Sequence, residues 1–490
     1  MKTLYKNAHF ITPQSPNPTC MVTENDRIIY LGEESTAATL HPDSEIHDLE
    51  GRKVLPGFID GPLQNQPREL HFPLRHPQYH QSRRRRQPDG ARLFCRGWMH
   101  SMTNGEAWPP CSTTSTRAPS SLTPRTCTPP GATPPPSASS TSPTPPDPAG
   151  GVIHRDAAGN PTGLLSEAAA VNIVWPHVAK VASLDEKLNF IRAGIREYTR
   201  AGYTGVVEMA TDENLWSTVL ALREREEVNI RLAAHWIISP KDDEEEVLRQ
   251  VDRAIELHSL YNAATSPDLR IAGIKVICDG VVDACTAALT EPYASNGDNC
   301  APLWDAEMLK KVVRKADRAG LQCALHAIGD ATDAKRLADL GITASVQPVH
   351  ADPAILRAWP RLLGPDRCGR AFAYRDFLDH GAHLAIGTDS PTAPHLPLRN
   401  LYTATTRRSA REPESLETVN EHFSLGLLEA ITAATGGSAY SCFADGFAGT
   451  LEVGKKADFV VVDMAWEAER LLEAEVWETW FDGRRVWRRE

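Results

Sequence analysis

Three short apolar runs between Leu321 and Asp389 each end in a polar side chain. The runs are LQCALHAIGD, TASVQPVH and HLAIGTDSP, and they place His326, His350 and Asp389 at or just beyond the ends of predicted buried strands. In a parallel (β/α) barrel, side chains at the carboxyl ends of the strands converge on one mouth, where the chemistry takes place. The sequence therefore predicts that these three side chains share one site.

From Thr204 onward, apolar strand-like runs alternate with helical segments. TGVVEMA precedes a predicted helix near Asn214–Glu226, and RLAAHWII precedes the acidic helix Asp242–Leu260. The runs IAGIKVIC, LQCALHAI, TASVQPV and HLAIGT follow in turn. This alternation predicts a parallel sheet, and strands this apolar are buried on both faces, as barrel strands are. The predicted fold class is α/β, with a (β/α)8 TIM-type barrel.

Both ends of the chain have the pattern of short antiparallel strands. Residues 1–56 contain TLYKNAHFIT, MVTENDRIIYLG and the start of VLPGF, and residues 445–490 contain GTLEVGKKADFVVVD and VWETWFDGRRVW. Because neither sheet is large enough to bury a face alone, we expect the two ends to form one small composite β-sandwich domain. The barrel would then occupy residues 57–444, and two unrelated small sheets are the alternative.

Two segments and one short connection interrupt the barrel pattern. Residues 109–148 hold thirteen of the chain's 37 prolines, and residues 62–92 do not resemble a barrel segment either. A disordered linker has such a composition, but long structureless loops inside a compact domain are uncommon. We therefore predict that 62–92 and 108–148 are disordered or result from a shifted reading frame. The stretch between LQCALHAIGD and TASVQPVH accommodates one short helix, so we also expect that one βα unit is missing.

The composition argues against several classes of protein. A net charge of −11 is unlike that of a general nucleic-acid binder, which carries a basic face. No run approaches the roughly 20 apolar residues of a membrane span, and the first residues lack the apolar segment of a signal peptide. The ten cysteines show no CxxC spacing, so a disulfide framework is not indicated. We expect a cytoplasmic protein that binds neither nucleic acid nor membranes.

Six motifs, in order, resemble the amidohydrolase superfamily, and more narrowly the amidohydrolase 3 family, which includes N-substituted formamide deformylase-like enzymes. They are VLPGFIDG (Val54–Gly61), GNPTGLLSE (Gly159–Glu167), IKVICDG, LHAIGDAT, AIGTDSP and GTLEVGKKADFVVVD. The resemblance implies a barrel that holds one or two divalent metal ions, most often zinc. It also implies that a metal-activated water hydrolyses carbon–nitrogen bonds other than peptide bonds, in small amides or formamides.

The resemblance assigns roles to individual residues. It implies that His326 and Lys275 bind metal, the lysine in the carboxylated form that some members use to bridge two ions. It implies that Asp389 binds metal and acts as the general base. His350 resembles a position beside the substrate, and Trp98 and Asp279 are further candidates for the pocket.

Each of these residues has a structural alternative. Hydrogen bonds inside the core would explain His326, and a helix N-cap before Ser-Pro would explain Asp389. His350 fits an ordinary loop histidine, and core packing is the commoner role of a tryptophan such as Trp98 or Trp236. Lys275 lies in an apolar run, where a buried lysine requires a partner or a function.

The chain also departs from the family pattern. The expected His-x-His of the first strand is replaced by Pro62-Leu63-Gln64, and DAKRLADLGI lacks the histidine expected from the sixth strand. Catalytic zinc normally has three protein ligands and a water, so a site this depleted is expected to bind metal weakly. We expect an impaired hydrolase. A non-catalytic barrel with a binding or regulatory role and a faulty gene model of an active hydrolase are the alternatives, and the oligomeric state is not determined.

Overall fold

The computed structural model describes residues 2–12, 18–63, 93–98, 120–124, 131–132, 146–147, 151–155, 159, 161–167, 173, 182–329 and 334–490. The chain divides into two compact units, Met1–Gln66 with Ile191–Glu490, and Pro67–Phe190. The segments 62–92 and 108–148 lie for the most part outside the described residues. Their predicted disorder or frameshift, and the predicted domain boundaries, stay predictions.

The first unit begins with short strands, as the sequence predicts. These elements are β1 (Lys2–Lys6), β2 (His9–Phe10), β3 (Cys20–Glu24), β4 (Arg27–Gly32), α1 (Glu34–Leu40), β5 (Glu45–Asp48) and β6 (Lys53–Pro56). Strand β7 (Phe58–Leu63) follows and begins the parallel part of the fold. Strands β4, β3, β1 and β5 pair in that order, with β1 antiparallel to β3 and parallel to β5.

The second unit contains short strands among its described residues. Strands β8 (Leu93–Trp98), β9 (Ser120–Pro124) and β10 (Gly131–Ala132) form one sheet, and β11 (Gly151–Arg155) and β12 (Pro161–Glu167) form an antiparallel pair. Most of the GNPTGLLSE motif lies on β12, so this motif belongs to a hairpin.

Five parallel strands form the largest sheet of the first unit. In spatial order they are β7, β13 (Tyr203–Thr211), β14 (Arg231–Ile238), β15 (Leu269–Ile277) and β16 (Gln322–His326). The helices that precede or connect them are α2 (Leu184–Arg200), α3 (Glu213–Arg225), α4 (Glu244–Leu260) and α5 (Ala306–Arg318). The alternation of helices with parallel strands confirms the predicted α/β class and fits a TIM-like barrel.

Aspartate caps fix the starts of three of these helices. The carboxylates of Asp212, Asp243 and Asp305 accept backbone N–H groups of the first turns of α3, α4 and α5 at 2.8 to 3.0 Å. The first N–H groups of a helix have no partner within the helix, so a side-chain acceptor stabilises the start. The predicted helix Asp242–Leu260 therefore begins only after its cap, at Glu244.

Two further parallel strands form a separate sheet. These are β17 (Ala344–Val346), which follows helix α6 (Ala334–Asp339), and β18 (Leu384–Ile386). Between them lie the short helices α7 (Pro353–Leu356), α8 (Trp359–Leu363), α9 (Pro365–Cys368) and α10 (Tyr374–Asp379). Strand β18 approaches β7 so closely that a Cβ atom on Gly387 would lie 2.6 Å from the carbonyl carbon of Gly61.

Within the described residues, β16 and β17 are not hydrogen-bonded to each other. The parallel strands of the described part of the chain thus form sheets of five and two, whereas a complete TIM barrel closes with eight. The loss of one βα unit at this place stays a prediction.

The C-terminal part adds helices and then three antiparallel strands. The elements are α11 (Pro397–Thr406), α12 (Leu427–Thr432), α13 (Ser438–Tyr440), β19 (Phe459–Asp463), β20 (Glu475–Phe481) and β21 (Arg484–Arg488). Strand β19 pairs with β6, which gives a sheet in the order β2-β6-β19-β20-β21. One sheet thus combines strands from both ends of the chain, and the predicted sandwich of two such sheets stays a prediction.

Apolar side chains of the parallel strands fall into separate clusters. The larger cluster joins β14 and β15 to helices α3, α4 and α5, and includes Trp216, Trp236, Val251, Ile274 and Val312. A smaller cluster joins the strands to the segment after α13, and includes Ile59, Val207, Ala233, Ala272 and Cys442. Because β14 and β15 contribute to both clusters, these strands are buried on both faces, as the continuous apolar runs predict.

A buried arginine connects the parallel sheet to the terminal strands. Arg231, the first residue of β14, is 5% exposed. It donates to both carboxylate oxygens of Asp458 at 3.0 and 3.1 Å, to Asp482 at 2.6 Å, and to Asp268. Asp458 precedes β19, and Asp482 follows β20. The ion cluster therefore fixes the start of β14 against two C-terminal strands.

No helix of the described ranges is long and apolar enough to cross a membrane.

The Arg231 cluster gives a prediction for stability. Arg231→Met leaves Asp458 buried without its counter-ion, and we expect the free energy of unfolding to fall by about 3–5 kcal/mol. Arg253→Met is the matched control, because Arg253 pairs with Glu213 and Glu256 at the surface; its cost is expected to stay below about 1 kcal/mol. Chemical denaturation at neutral pH measures both, and equal losses in the two variants would contradict the prediction.

Candidate active site

The structure brings His350 and Asp389 into direct contact. The imidazole Nε2 of His350 lies 3.0 Å from the carboxylate Oδ2 of Asp389. His350 belongs to a short turn that follows β17, and Asp389 lies three residues beyond the end of β18. The side chains are 27% and 14% exposed, so both are partly accessible to solvent. A carboxylate that accepts an imidazole N–H is an arrangement suited to holding and transferring a proton.

His326 lies at the end of β16, close to the other predicted residues. Burial lowers the pKa of His326, and the positive charge of Lys275 lowers it further, whereas Asp279 and Asp389 raise it. The Nε2 atom of His326 lies 3.1 Å from the carbonyl oxygen of Gly280 and 3.9 Å from Oδ1 of Asp279. Because a carbonyl oxygen only accepts, Nε2 carries the proton, and Nδ1 is the nitrogen left as an acceptor.

Lys275 is buried on β15, as the apolar run around it predicts. It is 6% exposed and is paired in register with Ala324 on β16, two residues before His326. Its positive charge therefore acts within the site, as its effect on the pKa of His326 indicates. The role of Lys275 as a metal-bridging ligand stays a prediction.

Asp279 holds two loops together. Its Oδ1 accepts the backbone N–H of Ile328 at 3.0 Å, and its Oδ2 accepts those of Gly329 at 3.0 Å and Ala288 at 3.1 Å. The carboxylate thereby connects the segment after β15 with the segment after β16. Three backbone donors occupy both oxygens, so the geometry favours a positioning role. The predicted contact of Asp279 with a substrate stays a prediction.

Trp98 is the last residue of β8 in the second unit. Its side chain lies outside the described part of the structure, and its predicted place in the substrate pocket stays a prediction.

The residues that the structure describes do not fit the divalent metal that the family resemblance implies. No group of three or more His, Cys, Asp or Glu residues in the described ranges is arranged to hold a metal ion. Several of the possible donor atoms already have partners: both oxygens of Asp279 accept backbone amides, Nε2 of His326 bonds Gly280, and Oδ2 of Asp389 bonds His350. A catalytic zinc normally needs three protein ligands. The histidines at 71 and 76 lie outside the described residues.

Asp60 is a site residue to which the sequence reasoning assigned no role. It is fully buried on β7 and accepts two hydrogen bonds from Thr388, from the backbone N–H at 2.7 Å and from the hydroxyl at 2.6 Å. Burial raises the pKa of Asp60 to about 7, although the bonds from Thr388 lower it. The signal in the sequence that could have identified Asp60 is a carboxylate inside the apolar run VLPGFIDG.

His235 is a second buried residue that the sequence reasoning passed over. It lies on β14, fully buried, with its Nε2 atom 2.8 Å from Oε1 of Gln322 on β16. The intervening strand makes room with a glycine, since a Cβ on Gly273 would lie 2.7 Å from the His235 ring. Burial lowers the pKa of His235 to about 4. The signal in the sequence that could have identified His235 is a polar residue inside the apolar part of RLAAHWII.

The Asp60 carboxyl gives a prediction for the pH dependence of stability. Its pKa is about 7 in the folded chain against 3.8 as the ordinary value. Between these values the unfolded chain releases the proton that the folded chain keeps. The free energy of unfolding therefore falls as pH rises from about 4 to about 7, by on the order of 4 kcal/mol. Asp60→Asn should lack this contribution. Denaturation at several pH values measures the free energy of unfolding of both proteins, and an equal pH dependence in the two would contradict the raised pKa of Asp60.

His235 gives a contribution of opposite sign. Its pKa is about 4 in the folded chain against the ordinary 6.5, so between these values the unfolded chain binds a proton that the folded chain does not. The free energy of unfolding therefore falls as pH drops from about 6.5 to about 4, by on the order of 3 kcal/mol. His235→Gln should remove this acid-side loss in the same denaturation series. A variant that loses stability as steeply as the parent chain would contradict the prediction.

The sequence of this chain is similar to those of known proteins. The sequence model of the amidohydrolase family matches residues 137–334 and 331–487. The putative amidohydrolase YtcJ of Bacillus subtilis is 29% identical over 366 residues, which cover 66% of this chain and 65% of that protein. The N-substituted formamide deformylase of Arthrobacter pascens is 23% identical over 397 residues, which cover 69% of this chain and 67% of that protein. The chain thus spans only about two thirds of the length of these relatives.

The fold is shared with solved structures. The crystal structure of an uncharacterized metal-dependent hydrolase from Pyrococcus horikoshii OT3 superimposes with a TM-score of 0.75 at 21% identity, over 96% of this chain and 99% of that one. The likeness at this identity concerns the fold. The family match, by contrast, extends over more than half of the chain and includes the segments that carry Lys275, His326, His350 and Asp389. This chain therefore belongs to the amidohydrolase family.

Proposed function

We propose that this chain descends from metal-dependent hydrolases of carbon–nitrogen bonds outside peptides, and that its own hydrolytic activity is impaired. The substrate class is small amides or N-substituted formamides. Membership of the amidohydrolase family points to a metal-dependent hydrolase, and the name of the formamide deformylase relative supports the substrate class. Zinc as the metal and the cytoplasm as the location are parts of the same proposal.

The observation that carries the proposal is the contact of His350 with Asp389 at 3.0 Å. A base of this kind accepts the proton of an attacking water and returns it to the departing nitrogen. The neighbouring Lys275 supplies a positive charge, which favours the negative charge that develops on a carbonyl oxygen during attack. In this proposal, proton transfer and electrostatic stabilisation are the two contributions of the described residues.

The donor set supports the proposed impairment. The described residues provide no group of three metal-binding side chains, and Pro62 stands where the resemblance expects the first histidine of the His-x-His pair. The family match also falls into two parts that meet at residues 331–334. This position coincides with the predicted loss of a βα unit between β16 and β17. Loss of a strand disturbs barrel closure, because strand number, tilt and shear are linked.

A non-catalytic barrel that binds a small molecule is the second candidate. The same shortage of metal donors favours this candidate, because the contact of His350 with Asp389 does not require a metal ion and could serve to bind a small molecule. A faulty gene model of an active hydrolase is the remaining alternative. The coding DNA across 62–148 and near 332 tests it, since an intron or an insertion there would restore the expected motifs.

Metal content and turnover test the proposed impairment. We expect the purified chain to hold clearly less than one zinc per molecule and to hydrolyse a panel of formamides and amides weakly or not at all. The variant Pro62→His/Gln64→His restores the expected pair, and we expect it to hold more zinc, measured by plasma mass spectrometry. Pro62→Ala/Gln64→Ala is the matched control, because it changes the same positions without adding donors.

The outcomes separate the candidates. Stoichiometric zinc together with turnover in the unchanged chain would contradict the impairment. Selective binding of an amide without zinc or turnover would favour the non-catalytic barrel over a hydrolase. Equal zinc content in the histidine and alanine variants would contradict the proposed position of the lost ligands.

A further inference from the structure

Asn400 connects the two segments that carry His350 and Asp389. It lies on helix α11 and is 3% exposed. Its Oδ1 atom accepts the backbone N–H of Val349 at 2.7 Å, and its Nδ2 atom donates to the carbonyl oxygen of Gly387 at 2.8 Å. Val349 directly precedes His350, and Gly387 lies two residues before Asp389. One amide side chain therefore sets the separation of the two backbone segments.

Asp60 holds the second segment at an adjacent point. Its two carboxylate oxygens accept the N–H and the hydroxyl of Thr388, the residue before Asp389. Thr388 is fully buried, so these bonds are shielded from water. The segment from Gly387 to Thr388 is thereby held by Asn400 of helix α11 and by Asp60 of strand β7.

The backbone at Asp389 needs such support. Asp389 has a φ of 55°, in the left-handed region that residues other than glycine rarely adopt. A conformation of this kind costs on the order of 1 kcal/mol or more and persists where the surroundings determine it. The carbonyl oxygen of Asp389 also accepts the N–H groups of Thr392 and Ala393, which fixes the turn that follows.

We infer that Asn400 and Asp60 are positioning residues that hold the Asp389 carboxylate in contact with the His350 imidazole. Neither residue touches the reacting atoms; each acts through the backbone beside them. The inference deepens the proposed function, on which it rests for the role of the pair in proton transfer. The contact itself can be measured in a chain without turnover or metal.

The test compares three variants with a matched control. Asn400→Leu removes both bonds, Asn400→Asp keeps the acceptor for Val349 and loses the donor to Gly387, and Asp60→Asn loses one acceptor for Thr388. The control is Asn262→Leu, because Asn262 also donates to a backbone carbonyl, of His258, and accepts a backbone N–H, of Ala264. Asn262 lies between α4 and β15, at the opposite end of the sheet from the site.

Two readouts report the contact directly. In the chain labelled with ¹⁵N-histidine, the imidazole proton shared with Asp389 gives a downfield resonance, assigned by its absence in His350→Gln. A crystal structure of each variant gives the separation of His350 Nε2 from Asp389 Oδ2. We expect Asn400→Leu to lose the resonance and to lengthen the separation from 3.0 Å to beyond about 3.5 Å. Smaller changes are expected in Asn400→Asp and Asp60→Asn, and none in Asn262→Leu.

A purely structural role for Asn400 predicts a different result. The variants would then lose thermal stability but keep the resonance and the separation, and folded Asn400→Leu with an unchanged contact would overturn the inference. If Asn400→Leu does not fold, the same comparison in Asn400→Asp decides, because this variant keeps the volume of the side chain. Failure of the zinc and turnover experiments would contradict the proposed function without changing either readout.

Discussion

The approach of β7 to β18 is the constraint on which the candidate site depends. Among the described residues β16 and β17 are not paired, so the two parallel sheets meet at β7 and β18 rather than through a complete ring. Two glycines, Gly61 and Gly387, allow the backbones to come so close that a side chain would not fit. Asp60 then adds two buried bonds to Thr388. The carboxylate of Asp389 reaches His350 because this junction fixes the end of β18.

The polar residues of the site are largely engaged with the protein itself. Asp279 bonds three backbone amides, His326 bonds a carbonyl oxygen, and Asn400 bridges two backbone segments. Such bonds satisfy buried polar groups, whose burial without a partner is unfavourable. The same bonds leave few side-chain atoms for an ion. The proposed chemistry of the site therefore depends on the contact of the His350 imidazole with the Asp389 carboxylate.

The positions of the strands were easier to predict from the sequence than the hydrogen-bond partners of the buried polar residues. The run RLAAHWII coincides with β14, and TGVVEMA lies within β13, because a strand buried on both faces must be apolar throughout. The convergence of His350 and Asp389 followed from the rule that polar residues at parallel strand ends meet. The family resemblance, which rested on motifs spread along the chain, is confirmed by the family match.

The partners of buried polar residues could not be predicted, because they depend on tertiary distances. Asp60 meets Thr388 across 328 positions of sequence, and Asn400 bonds backbone atoms that carry no side-chain signal. The partners of Asp279 could not be predicted for the same reason, because its three donors are backbone amides of loops.

The sheet that combines β6 with β19 has a consequence for biosynthesis. Val54 pairs with Val461, so the N-terminal strand leaves the ribosome long before its partner is made. Synthesis proceeds at roughly 5–20 residues per second, so the intervening ~400 residues take about 20–80 s. During that interval the apolar edge of β6 has no partner strand from the C-terminal region. The sheet is therefore completed only after the C-terminal strands have been made, whereas the sheet of β1, β3, β4 and β5 needs only the first 48 residues of the chain.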